Sequence, residues 1–239
     1  MHRLLSLLLC LAAIATHAAE PIRVACLGDS ITAGAKVKAA TESYPAQLQQ
    51  MLGAGFVMKN FGAGGATLWH GGKPNAFQQL PDATAFAPQL AIVMFGINDT
   101  RSRDVNYWGH FAEFEADAVK LLDTLLGLPT KPRVLLCLPT ANFADLPGMP
   151  DERKTNVAER LPRLEEVRAK IADIAKRHTK RGVELVDLHA ATEKRPEVFD
   201  VDGVHLNAAG YKLLAETLRP HVEAAARQLA APASELEKR

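Results

Sequence analysis

Apolar positions fall into two kinds of run along this chain. Short continuous runs, IRVACL at 22–27, LAIVMF at 90–95 and RVLLCL at 133–138, have the composition of strands buried on both faces. FVMKN at 56–60 and VELVDL at 183–188 read as two more strands with polar interruptions. Longer stretches between them place apolar residues at steps of three and four, the period of an amphipathic helix. Residues 43–52, 75–86 and 207–229 read this way. So do residues 107–127, with Phe111, Phe114, Ala118, Leu121, Leu122 and Leu125 on one side. Residues 157–180 align Leu161, Leu164, Val167, Ile171 and Ile174, and Gly182 follows as a stop signal. The intervening residues 139–155, with Pro139, Pro147, Gly148 and Pro150, read as a loop.

Strand and helix therefore alternate, with connections long enough for crossovers. That order predicts an α/β fold, a parallel sheet with helices on both faces. No internal repeat or low-complexity linker divides the 239 residues. One domain over 20–229 is the simplest organisation, with a frayed polar tail at 230–239.

The first residues follow another pattern. MHRLLSLLLCLAAIATHAAE has a basic start, an apolar stretch from Leu4 to Ala15 and small residues at Ala18 and Ala19. That is the layout of a cleaved secretory signal over 1–19, too short for a membrane span. It predicts a secreted or periplasmic protein with no stable membrane insertion after cleavage. Leu9 before Cys10 argues against lipidation at that cysteine. Two cysteines then remain, Cys26 and Cys137, each within a different apolar strand. They read as small buried hydrophobes rather than a bridge.

Charge narrows the function classes. Twenty-eight basic and 27 acidic side chains leave a net charge of +1, which gives no electrostatic basis for a nucleic-acid partner. The oligomeric state is not encoded in any legible pattern.

In open α/β sheets the ligand crevice lies beyond the carboxyl ends of the strands. Gly28-Asp29-Ser30 follows the first predicted strand, NFGAGGATL (60–68) the second and GINDTR (96–101) the third. FDVDGVHLNAAGY (199–211) follows the fifth after a loop. Asp, Ser and Thr cap helices, so Ser30 reads either as a cap or as a nucleophile. Acyl transfer would also need a base, an orienting acid and oxyanion donors. His205 can supply the base. Asp202, three residues earlier, can reach its Nδ1, and Asp200 is the competing acid. Gly65 can present an unobstructed backbone N–H, and Asn98 an amide NH2. Gly62 and Gly64 read as turn residues, because no Lys-Ser or Lys-Thr follows to make a nucleotide loop. Trp69, Tyr107 and Trp108 read either as a sugar-binding crevice or as aromatic packing. Arg101, Arg103 and residues 142–153 are candidates for the pocket border.

The four blocks GDSIT (28–32), NFGAGGAT (60–67), GIND (96–99) and DGVH (202–205) resemble, in order and context, the SGNH or GDSL hydrolase family. The resemblance implies a flavodoxin-like three-layer α/β/α sandwich with a five-stranded parallel sheet of order 2-1-3-4-5. It implies a catalytic triad of Ser30, Asp202 and His205. The implied oxyanion hole is the Ser30 N–H, the Gly65 N–H and the Asn98 side chain, with no cofactor and no metal. SYPAQLQQML, NFGAGGATL and CLP at 137–139 resemble more closely the secreted carbohydrate O-acetylesterases, including sialate O-acetylesterase-like members. The expected reaction is hydrolysis of short acyl esters, with a small-molecule or glycan ester as the only expected partner. Broader lipase, arylesterase or thioesterase activity, a non-catalytic carbohydrate-binding role and a metal-dependent phosphodiesterase using Asp29, Asn98 and His205 are the alternatives.

Overall fold

The computed structural model describes residues 20–230. The predicted signal, Cys10 and the tail at 231–239 lie outside the described residues. Five parallel strands form one sheet: β1 (Ile22–Gly28), β2 (Phe56–Asn60), β3 (Leu90–Met94), β4 (Arg133–Leu138) and β5 (Val183–Asp187). Their order is β2-β1-β3-β4-β5, as the resemblance implied. The eight α-helices described are α1 (Ser30–Ala33), α2 (Ala39–Glu42), α3 (Tyr44–Leu52), α4 (Ala76–Ala85), α5 (Phe111–Leu126), α6 (Asp151–His178), α7 (Leu188–Thr192) and α8 (Ala208–Ala230).

The continuous apolar runs are the three central strands, for the expected reason. Alternate residues of each strand point to opposite faces, and helices cover both. Val24, Cys26, Ile92 and Leu135 pack with Tyr44 and Leu48 of α3 and with Tyr211, Leu214 and Leu218 of α8. Ala25, Leu27, Val93 and Leu136 pack on the other face with Leu80 of α4, Leu121 of α5 and Ile171 of α6. The edge strands need less burial, so Val57 on β2 and Leu185 on β5 stay exposed. Cys26 and Cys137 sit on β1 and β4, with β3 between them, and both are free and buried. Burial pushes the Cys26 thiol up to about 12 and raises that of Cys137 as well. These are inert packing residues, as expected.

One boundary differs from the sequence reading. Residues 151–155 are not loop but the first turns of α6, which begins at Asp151. Pro150 sits just before the helix, and Asp151 and Glu152 place negative charge at its N-terminal dipole end. Apolar periodicity misses this start because the first buried side chain of α6 is Val157. The short helices α1, α2 and α7 also escaped the reading, being four or five residues long.

Stability should follow this division between centre and edge. Ile92→Ala, in the middle of β3, should cost about 2–5 kcal/mol. Val57→Ala, on the exposed edge strand, should stay within about 0.5 kcal/mol of the parent. Urea unfolding of the two variants checks the contrast, and equal costs would contradict it.

Candidate active site

Three strand ends and one returning loop converge above the sheet. β1 ends at Gly28, whose buried peptide groups need partners. The Gln79 amide of α4 grips both: Gly28 N–H donates to Oε1 at 3.1 Å, and Nε2 donates to Gly28 O at 2.8 Å, where the Ala63 N–H also donates at 3.1 Å. Asp29 then caps α1, its Oδ1 accepting the Ile31 N–H at 2.9 Å. Ser30 is the first residue of that helix, so its N–H is one of the donors no intrahelical carbonyl takes. The capping duty falls to Asp29, which leaves the Ser30 hydroxyl available.

The loop after β2 lies directly on α1. A Cβ at Gly62 would come within 2.3 Å of Ala33 N, so only glycine permits this approach. Gly65 is different: nothing crowds its missing Cβ closer than 4.0 Å, but its φ of +79° lies in the left-handed region. The loop after β3 holds this segment in place. Asn98 Nδ2 donates to Ala66 O at 3.0 Å. Asp99 accepts the Leu68 N–H at 3.0 Å and the Trp69 N–H at 2.9 Å. The second hydrogen on Asn98 Nδ2 remains to be donated elsewhere.

The fourth component comes from residues 199–206, where Phe199 and Leu206 pair as an isolated antiparallel bridge. Asp202 Oδ1 accepts the N–H groups of Val204 at 3.0 Å and His205 at 2.9 Å. Its Oδ2 lies 2.7 Å from His205 Nδ1. His205 Nε2 lies 2.8 Å from Ser30 Oγ. Burial opposes ionisation of Asp202, but the hydrogen bonds from the His205 ring, His205 N–H and Val204 N–H outweigh it and hold the carboxyl well below the usual range. Asp200, the competing acid, is engaged elsewhere. It accepts the Asp202 N–H at 3.2 Å and pairs with Lys36 at 3.3 Å. Lys36 Nζ also lies 3.6 Å from Asp202 Oδ2.

The structure thus brings Ser30, Asp202, His205, Gly65 and Asn98 together. Ser30, Gly65, Asn98 and His205 line one cavity of about 640 Å³. Arg101, Arg103, Pro150, Glu152 and Arg153 line it too, which places the border residues that the sequence left unplaced. Arg160 of α6 lines it as well and went unnoticed in the sequence, where it reads as one more charge on a charged helix. Trp69, Tyr107 and Trp108 do not line it. Trp69 stacks on His110 with centroids 3.9 Å apart, and Trp108 stacks on Phe111 at 4.4 Å. The rings are spent on packing around the start of α5. His70 and His178 are similarly engaged, by Asp117 at 2.8 Å and by Ile174 O at 2.8 Å. No group of three His, Cys, Asp or Glu side chains that could hold a metal ion occurs among the described residues. No helix among them is long and apolar enough to cross a membrane.

The sequence profile of the GDSL-like lipase/acylhydrolase family matches residues 26–213. An acetylxylan esterase from Xylanibacter ruminicola is 32% identical over 216 residues, covering 83% of this chain and 42% of that protein. The chain therefore spans less than half the length of this relative. A carbohydrate acetylesterase structure from Sinorhizobium meliloti superposes with a TM-score of 0.66 at 23% identity, covering 85% of this chain and 99% of the other. An aryl esterase structure from M. smegmatis gives a TM-score of 0.61 at 23% identity, covering 85% and 99%. At these identities the two structures establish a shared fold.

Two buried carboxyls here respond to acid in the opposite sense from Asp202. Burial pushes Asp29 and Asp99 up to about 6, from an ordinary 3.8. Between those values the folded chain holds protons that the unfolded chain releases, so stability should rise as pH falls from 6 to 4. The stabilisation from Asp202 is lost only below about 3.8, its unperturbed value. Asp29→Asn keeps an acceptor for the Ile31 N–H and removes one titration. Urea midpoints at pH 4, 5 and 6 should rise on acidification less steeply in Asp29→Asn than in the parent. Identical slopes would remove Asp29 as a source.

Proposed function

The chain belongs to the GDSL-like lipase/acylhydrolase family, and from that premise we propose that it is a serine esterase for short acyl groups, preferentially O-acetyl groups on carbohydrates. The observation that carries the reading is the continuous hydrogen-bonded line from Asp202 Oδ2 through His205 to Ser30 Oγ, with contacts of 2.7 and 2.8 Å. Ser30 Oγ attacks the ester carbonyl, and His205 Nε2 takes its proton. Asp202 fixes the imidazole tautomer and stabilises the imidazolium. The developing oxyanion is held by the Ser30 N–H, the Gly65 N–H and the free hydrogen of Asn98 Nδ2, in a site where fixed donors need no reorganisation. The carbon–oxygen bond to the alcohol breaks as the imidazolium returns its proton to the leaving oxygen. Water, deprotonated by His205, then attacks the acyl-serine. The acid leaves, and Ser30 regains its proton.

The acetyl and carbohydrate preference is supported by the Xylanibacter ruminicola relative, an acetylxylan esterase. Residues 20–229 form the hydrolase domain in this reading. Export through residues 1–19 belongs to it as well, on the signal-like pattern of that segment.

Turnover of p-nitrophenyl acetate, butyrate and octanoate tests the proposal. Acetate should be cleaved fastest. Ser30→Ala should lose about 10³-fold or more in kcat, in line with removal of a triad nucleophile. Asn98→Ala should lose about 10²–10³-fold in kcat, the usual cost of one oxyanion donor. Full activity in Ser30→Ala would reduce the serine to a bystander, and fastest cleavage of octanoate would replace the acetyl assignment.

A further inference from the structure

Basic side chains outnumber acidic ones on the walls of the cavity over Ser30. Four arginines line it, Arg101, Arg103, Arg153 and Arg160, against two carboxylates, Asp104 and Glu152, in a protein whose net charge is +1. Two of the four are paired: Arg101 with Asp104, and Arg103 with Glu159. Arg153 leans on a carboxylate already in use. Its Nε donates to Asp202 O at 2.8 Å, and its Nη2 lies 4.0 Å from Asp202 Oδ1.

Arg160 is the unusual member. Its residue is only 6% exposed. Nε donates to Thr100 Oγ1 at 2.8 Å and Nη2 to Ile97 O at 2.5 Å. No carboxylate lies within ion-pair distance of it among the described residues, and buried Asp29 attracts it only from further off. Burial, followed by the neighbouring charges of Arg153 and Arg101, pulls its guanidinium down to about 10. Gripping the turn that carries Asn98 requires two N–H donors and no charge. A buried guanidinium set beside two others is an expensive way to obtain them, unless an anion enters the site.

Building on the esterase reading, we propose that this cavity recognises a carboxylate on the glycan whose ester Ser30 cleaves, with Arg153 and Arg160 as the receiving cluster. The natural substrate class is then an O-acetylated oligosaccharide containing uronic acid, rather than a neutral one. The planar carboxylate matches the guanidinium fork in a way a hydroxyl cannot. The ester to be cleaved and the carboxylate sit on the same ligand. The cluster therefore acts on specificity and orientation and takes no part in bond making.

Calorimetry on the full-length Ser30→Ala protein tests this apart from catalysis. The ligands are a galacturonate oligosaccharide and a neutral xylose oligosaccharide of equal length. The acidic ligand should bind at least about tenfold tighter, the usual scale for charge-assisted hydrogen bonds. Arg153→Gln, introduced into that protein, should narrow the margin by about tenfold. Equal affinity, or tighter binding of the neutral ligand, overturns the inference whether or not the parent cleaves p-nitrophenyl acetate. A clear acidic preference in a protein whose parent cleaves no ester would remove the esterase reading and leave the carboxylate site standing. Tighter binding of galactose 6-sulfate than of galacturonate would overturn the choice of carboxylate.

Discussion

The contact between His205 Nε2 and Ser30 Oγ joins residues 175 apart in sequence, and most of the site exists to make that contact possible. It requires the amino-proximal strand end and the carboxy-proximal loop to meet at one point. The strand order achieves this by placing β1 inside the sheet between β2 and β3, while α3 and α8 share the same core beneath it. Tyr211 of α8 adds a direct tie, its hydroxyl donating to Ala35 O at 2.8 Å. A helix at the end of the chain thus anchors the turn that follows Ser30.

The polar groups around this contact are each held by a neighbour that also belongs to the site. Asp99 grips the loop that carries Gly65, while Asn98 beside it bonds to Ala66 O. Arg160 and Arg163 of α6 bond to Ile97 O, Thr100 O and Thr100 Oγ1 and so fix the turn that carries both. A site supported in this way can hold donors at fixed positions before any substrate arrives, and fixed donors are what make oxyanion stabilisation effective.

The central strands and the words that carry the five convergent residues were legible because each leaves a local mark, whereas the sheet order came only with the family resemblance. A strand buried on both faces is an unbroken apolar run, and Gly28-Asp29-Ser30 or Asp202-Gly203-Val204-His205 is a contiguous word. What could not be read is assembled from distant polar residues. Arg160 carries no local signature on a helix rich in charges, and it becomes significant only when the turn at 97–100 is folded against it. Lys36 is illegible for the same reason: its meaning lies in Asp200 and Asp202, across the fold. The aromatics were ambiguous for a different reason. In sequence Trp69 and Trp108 read as sugar-binding rings or as packing, and the start of α5 uses both as packing.

Two aspartates near the imidazole show how environment divides the roles that composition leaves equal. Asp202 accepts three N–H groups and stays ionised despite partial burial. Asp29, buried at 1% exposure, accepts one backbone N–H, that of Ile31, at its carboxylate and is pushed up to about 6. An acid that must hold an imidazolium needs a permanent charge directed at Nδ1, which only Asp202 offers. A phosphodiesterase that drew on Asp29 would need that carboxylate turned into the cavity and ionised. Asp29 faces the Ile31 N–H instead, and its ionisation would add to a charge that the interior already resists. The same pair of environments therefore supports the proposed acyl transfer at Ser30 over the alternative chemistry that its neighbouring residues suggest, and it does so through hydrogen-bond geometry rather than through the identity of the side chains.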